Sequence, residues 1–205
     1  MVSQFLFDLC PGNADRRSLL LAQLSQVAYR YGQFTLSSGR VSHHYVNCKP
    51  VSLSSNGLVL ISNLMLEEVE NEAAVVAGLT LGADPLVSGV AQAAFLRGRR
   101  LDALIVRKSP KGHGSCSSLE GPLPRIGSRV TLLEDVVTTG TSSLKATREL
   151  RNAGYIVERI ITIVDREEGG KANIEEQGLE LVSLFSLSEI ITEAQNPRSS
   201  LKVTW

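Results

Sequence analysis

The sequence predicts an α/β protein: an open parallel sheet flanked by helices, with residues 1–50 forming a small hood over one edge and residues 1–205 forming one domain. Three observations carry this. From residue 73 onward, short apolar β-branched segments alternate with helix-favouring ones, the pattern of a parallel sheet covered on both faces. One junction, RVTLLEDVVTTGTS at 129–142, runs from an apolar strand through two acids into a turn of threonines around a glycine, and then into a helix. An open sheet presents a phosphate cradle at its carboxyl edge in this way. Finally, GLTLGA, RKSPKGHG, EDVVTTGTS and DREEGG each follow a predicted strand, so the topology gathers all four in one cleft.

The elements follow in order. Asn13 or Asp15 caps a helix that runs through LLLAQLSQVAYRY to Gly32, with Leu19, Leu20, Leu24 and Val27 as its apolar stripe. Ser38-Gly39 marks a turn, and Tyr45-Val46 begins a short extended piece. A Leu-rich helix spans 54–71. A buried strand at 73–79 ends in a tight loop containing Gly78, Gly82 and Pro85, and a helix follows over 84–98. The strand at 102–106 runs into KSPKGHGSCSSLEGP, a stretch without periodicity that is long for a compact domain and therefore suited to function. After the 129–142 junction come a helix over 143–152, a strand over 157–164 and a short helix over 171–177. A strand over 179–185 and a helix over 186–195 complete the chain.

Composition excludes several classes. Lys+Arg and Asp+Glu number 21 each, so the broad positive field of a general nucleic-acid binder is missing. Cys10, Cys48 and Cys116 lie far apart without CxxC or flanking histidines, which fits neither a disulfide framework nor a zinc site and suits a reducing cytoplasm. The apolar runs are of strand length, and the N-terminus lacks the features of a signal peptide, so no membrane association is expected.

The chemistry concentrates at the junction. Glycine lets the backbone approach an anion, the unpaired N–H groups of the next helix face it, and threonine hydroxyls add neutral donors. Glu134 and Asp135, placed just before the cradle, suit vicinal hydroxyls such as those of a ribose, or a hydrated magnesium ion. The bland alternative is a helix junction with a hydroxyl cap and a solvated acidic pair. In the long loop, Arg107, Lys108, Lys111 and His113 fall within seven residues among glycines and serines. A cationic arm of this kind can clamp and release a polyanion, whereas alone it would read as an ordinary charged loop. His43 and His44 have no metal-like spacing and read as surface or packing residues.

The junction resembles the phosphoribosyl-pyrophosphate (PRPP) signature of type I phosphoribosyltransferases, and most of the chain resembles the orotate phosphoribosyltransferase family within them. FTLSSGRVSHHYV is similar to that family's hood segment, GLTLGADPL to its pyrophosphate loop, VRKSPKGHGSCSSLEG to its mobile arm and VDREEGG to its orotate segment. The resemblance implies a type I phosphoribosyltransferase fold and Mg-dependent transfer of ribose 5-phosphate from PRPP to N1 of orotate. Glu134 and Asp135 would hold the ribose hydroxyls. The run Val136, Val137, Thr138, Thr139, Gly140, Thr141 and Ser142 would bind PRPP, its hydroxyl residues wrapping the 5-phosphate, with Thr138 also near the base. Arg107, Lys111 and His113 would bind pyrophosphate, and Lys108 would reach the partner's site in a homodimer with shared active sites; Lys108, Lys111 and His113 would carry catalysis. Arg166 would pair with the orotate carboxylate, although Glu167 and Glu168 beside it offer an alternative pairing. Magnesium would be bound through PRPP and water near Glu134 and Asp135, with no direct protein ligand.

Ser37 and Gly82 stand where some members of the family carry lysine, and Asn47 where an acid is common. Two rival readings keep the PRPP loop: a transferase for a purine base, which has no need of Arg166, and a PRPP-sensing regulator that binds nucleic acid. The second requires a basic face that the balanced charge does not favour.

Overall fold

The computed structural model describes residues 13–35, 41–108 and 118–196. Helix α1 (Asn13–Gln23) buries Leu20 and passes into one π-helical turn, Leu24–Ala28, where Leu24 and Ala28 are also buried. The helix predicted to reach Gly32 therefore ends earlier. Tyr29 is extended, at φ −90° and ψ 142°, and opens strand β1 (Tyr29–Thr35). The correction has a tertiary cause: Tyr29, Arg30 and Tyr31 pair with Val46, Tyr45 and His44 of the antiparallel strand β2 (Val41–Val46). Aromatic residues accept that pleated setting readily. Tyr45-Val46 thus ends an extended segment rather than beginning one. A short helix absent from the sequence expectation, α2 (Lys49–Ser52), has Pro50 in its first turn. The predicted turn at Ser38-Gly39 lies outside the described residues.

Helix α3 (Ser55–Glu68) starts at Ser54, whose side chain accepts from the Gly57 N–H. Strand β3 (Val75–Leu79), helix α4 (Asp84–Leu96) and strand β4 (Asp102–Val106) follow the predicted order. The two-residue strand β5 (Leu119–Glu120) then pairs antiparallel with β4. Strand β6 (Val130–Val137), helix α5 (Thr141–Asn152), strand β7 (Arg159–Asp165), helix α6 (Gly170–Glu175), strand β8 (Glu180–Ser186) and helix α7 (Leu187–Gln195) complete the described chain. Ser186 and Glu189 form a reciprocal capping box at the start of α7.

The sheet order is β5-β4-β3-β6-β7-β8, parallel except at the β5 edge. Leaving β3, the chain builds outward through β4, then returns to the other side of β3 at β6. That reversal makes a crevice at the carboxyl ends of β3 and β6. One core, under α1, α3, α4 and α7, contains Ile61, Met65, Leu86, Leu133, Ile161 and Phe185. The other, under α5 and α6, contains Leu104, Leu132, Leu150, Ile160 and Ile174. Adjacent Leu132 and Leu133 enter opposite cores, as the two-residue period of a strand requires. This alternation sets the direction of the two acids that follow.

Candidate active site

Continuing that period, Glu134 turns to the α5 side and Asp135 to the other. Glu134 is buried and its Oε2 accepts from Ser143 Oγ at 3.0 Å. Desolvation pushes its carboxyl up to about 8, the neighbouring Asp135 charge adds to the rise, and the Ser143 hydrogen bond opposes it. The group is therefore largely neutral at pH 7. Asp135 faces the crevice: Lys49 Nζ donates to its Oδ2 at 3.2 Å, and the Val136 N–H donates to its Oδ1 at 2.9 Å. Gly82, in the loop after β3, lies so close that a Cβ there would stand 2.6 Å from the Asp135 carboxylate. Within that loop the Thr80-Leu81 peptide bond is cis. Cys48, next to Lys49, is a buried free thiol whose pKa is raised by burial.

The cradle follows. Val137 is buried in the α5-side core, and its carbonyl accepts from the Arg166 N–H at 2.9 Å. Thr138 and Thr139 are half-buried; Thr139 Oγ1 lies 3.0 Å from Thr141 Oγ1, and Asn173 of α6 donates to the Thr139 carbonyl. Gly140 has φ +77°, a left-handed conformation, and an added Cβ would meet Ile174 at 2.9 Å. Glycine is required on both counts. Thr141 and Ser142 are exposed in the first turn of α5, where backbone N–H groups and the helix dipole favour an anion.

The arm's base is well anchored. The Arg107 N–H donates to the Ser118 carbonyl at 2.7 Å, and the Arg107 guanidinium bonds Glu120 at 3.0 Å. Lys145 of α5 donates to the Lys108 carbonyl at 3.0 Å, tying the arm to the cradle helix. Arg107, Lys108, Glu120, Thr80, Asp84 and Ile105 line a cavity of about 590 Å³ at the carboxyl end of β3 and β4. Lys111 and His113 lie outside the described residues, as does Ser37.

Arg166, at the end of β7, is buried. Its Nε donates to Glu168 Oε1 at 2.9 Å, and its Nη2 to the His44 carbonyl at 3.1 Å and Ser42 Oγ at 3.4 Å. The turn after it is held from two sides. Asp165 Oδ1 accepts the Glu167 N–H at 2.9 Å, and Glu167, at φ +58°, bonds the Ser188 N–H of α7. Glu167 thus turns outward while Arg166 turns in beneath the β1–β2 hairpin. His44 is a packing residue, as its sequence context suggested: its ring accepts or donates a 2.8 Å hydrogen bond with Tyr29.

The described residues thus bring three of the four predicted loops to one sheet edge in full, and the base of the fourth, the arm. Three contributors carried no role in the sequence reading. Lys49 and Ser143 act only through their partners on β6, Asp135 and Glu134, and Lys145 looked like ordinary helix surface. Among the described residues, no helix is long and apolar enough to cross a membrane, and no group of three or more His, Cys, Asp or Glu could hold a metal ion.

No family model matches the chain. It is 54% identical over 177 residues to the orotate phosphoribosyltransferase of Thermosynechococcus vestitus, an alignment covering 86% of this chain and 94% of that protein. The crystal structure of Mycobacterium tuberculosis orotate phosphoribosyltransferase in complex with Fe(III) dicitrate superposes with a TM-score of 0.74 at 36% identity, over 85% of this chain and 98% of that one. The same mycobacterial enzyme in complex with PRPP gives a TM-score of 0.70 at 33% identity, over 85% and 98%.

Proposed function

The chain belongs to the orotate phosphoribosyltransferase family, and from that premise we propose that it transfers ribose 5-phosphate from PRPP to N1 of orotate, giving orotidine 5-monophosphate and pyrophosphate. The observation that carries the reading is the convergence of a Gly/Thr cradle, an acid facing the crevice and a buried arginine at one switch point. The cradle's N–H and hydroxyl groups suit the 5-phosphate, and Asp135 is placed to accept from a ribose hydroxyl. Arg166 is preorganised by Glu168 and the hairpin, and its planar fork matches the carboxylate that distinguishes orotate from uracil.

As pyrophosphate leaves, the anomeric carbon gains oxocarbenium character, so catalysis is positioning and charge stabilisation rather than attack by a side chain. Arg107 at the cavity, with Lys111 and His113 of the arm, would offset the leaving group's charge. Closure of the arm would exclude the water that hydrolyses PRPP. Glu134 is largely neutral and Asp135 already paired with Lys49, so this donor set suits water-mediated contact with a hydrated ion better than direct ligation. Magnesium bound through PRPP would supply further neutralisation of the pyrophosphate.

In this reading the enzyme works in the cytoplasm as a homodimer, with Lys108 reaching the partner's site. The exposure of Lys108, and of Phe95 and Leu96 at the end of α4, supports an assembly. The test is loss of orotate absorbance on mixing protein, PRPP and magnesium, with pyrophosphate measured and a metal-free control. Metal-dependent loss with matching pyrophosphate is expected; PRPP binding without orotate consumption would move the reading to another base. Arg166→Ala should lower kcat/KM for orotate on the order of a hundredfold while PRPP still binds, since a charged contact and its geometry are both lost.

A further inference from the structure

This inference rests on the transfer reaction proposed above. We propose that Lys49 is a positioning residue for it: the ammonium holds the Asp135 carboxylate facing the ribose hydroxyls, in a space that Gly82 keeps open. Lys49 and Asp135 are 86 residues apart in the chain, yet Nζ and Oδ2 are 3.2 Å apart. With the Val136 N–H on Oδ1, each carboxylate oxygen has its own donor, so the carboxylate plane is fixed.

The lysine itself is well rooted. Cys48 and Val51 on either side are fully buried, Pro50 stiffens the first turn of α2, and the Lys49 N–H donates to Asn47 Oδ1 at 3.2 Å. Its side chain remains 42% exposed, so the ammonium meets the open crevice. On the opposing side, a Cβ at position 82 would stand 2.6 Å from the carboxylate atoms, so the loop after β3 lies directly against the Asp135 carboxylate. Any larger residue there would push Asp135 off its lysine.

The charge arrangement gives the pairing a purpose. An uncompensated carboxylate in the crevice would repel a polyanionic diphosphate, whereas Asp135 with Lys49 is neutral overall and still presents acceptor lone pairs. Glu134, the other acid on β6, is turned away to Ser143. An ammonium also has three donors, so bonding Asp135 leaves two for substrate or water. Lys49 should therefore act on PRPP affinity more than on turnover.

The experiment uses the full chain as Lys49→Met, Lys49→Arg, Asp135→Asn and the Lys49→Met/Asp135→Asn double variant. It reads kcat and KM for PRPP, PRPP binding by calorimetry, and thermal melting. Lys49→Met should lower kcat/KM for PRPP on the order of tenfold or more, mainly through KM, with little change in melting. Lys49→Arg should recover most of it, and in the Asp135→Asn background the Lys49→Met effect should shrink to within about twofold. Wild-type kinetics in Lys49→Met, losses that multiply in the double variant, or failure of arginine to restore activity would each overturn the proposal. If the wild type consumes no orotate, the transferase reading fails instead, and the same cycle read by PRPP calorimetry still decides the role of Lys49.

Discussion

Glu134 shows how one carboxyl becomes a different chemical group through its surroundings. Buried beside Asp135, it keeps its proton to about pH 8, whereas in the unfolded chain it would ionise near 4.5. Between those values the folded state binds more protons than the unfolded one. Its contribution to stability is thus fully present below about 4.5 and is lost as pH rises through about 8. Glu134→Gln, which stays neutral and can still bond Ser143, should remove that dependence. Melting measured from pH 5 to 9 should fall with pH in the wild type, by roughly 2–4 °C for each 1 kcal/mol lost, and be flatter in the variant. Parallel curves would mean that Glu134 ionises in the folded protein as it does in the unfolded one. Arg166 is the complementary case: a buried cation whose charge is met by Glu168 and whose Nη2 also bonds the hairpin.

At the scale of elements, the junction from β6 to α5 depends on one left-handed residue. Gly140→Ala would force a side chain into φ +77° and against Ile174, at a backbone cost of about 1–2 kcal/mol before the clash is counted. The variant should melt lower and bind PRPP on the order of tenfold more weakly or worse, by calorimetry, because the cradle's N–H groups move with the turn. The capping box at α7 lies away from the cradle and offers a contrast. Ser186→Ala should cost about 1 kcal/mol in a denaturant titration and leave KM for PRPP unchanged, since only a helix end is loosened. A changed KM there would show that α7 is coupled to the cradle, through the Glu167–Ser188 bond that holds the turn after Arg166.

At the scale of the whole molecule, a site shared between subunits should show as complementation. Lys108→Ala and Arg166→Ala disable different halves of such a site, so mixing the two after subunit exchange should restore a measurable part of the activity that neither has alone. Mixtures no better than the sum of their parts would mean that each chain completes its own site. The order β5-β4-β3-β6-β7-β8 is what makes the cleft possible, because it puts the acid pair of β6 beside the loop after β3.

Read from sequence alone, the strand 102–106, the apolar run at 130–133 and the cradle that follows the two acids are determined, because each is a local pattern: apolar run, breaker, helix former. The four loops could be assigned to one edge because parallel connections return every strand in the same direction. Only the tertiary structure decided that residues 29–31 open a strand rather than end a helix, since their partner is another strand and their hydrogen bonds are not their own. It also decided that Glu134 and Asp135, adjacent and alike in sequence, face opposite sides of a sheet, one desolvated to neutrality and the other held by Lys49. Periodicity is written in neighbouring residues, whereas burial and ion pairing depend on groups that the chain brings close only by folding.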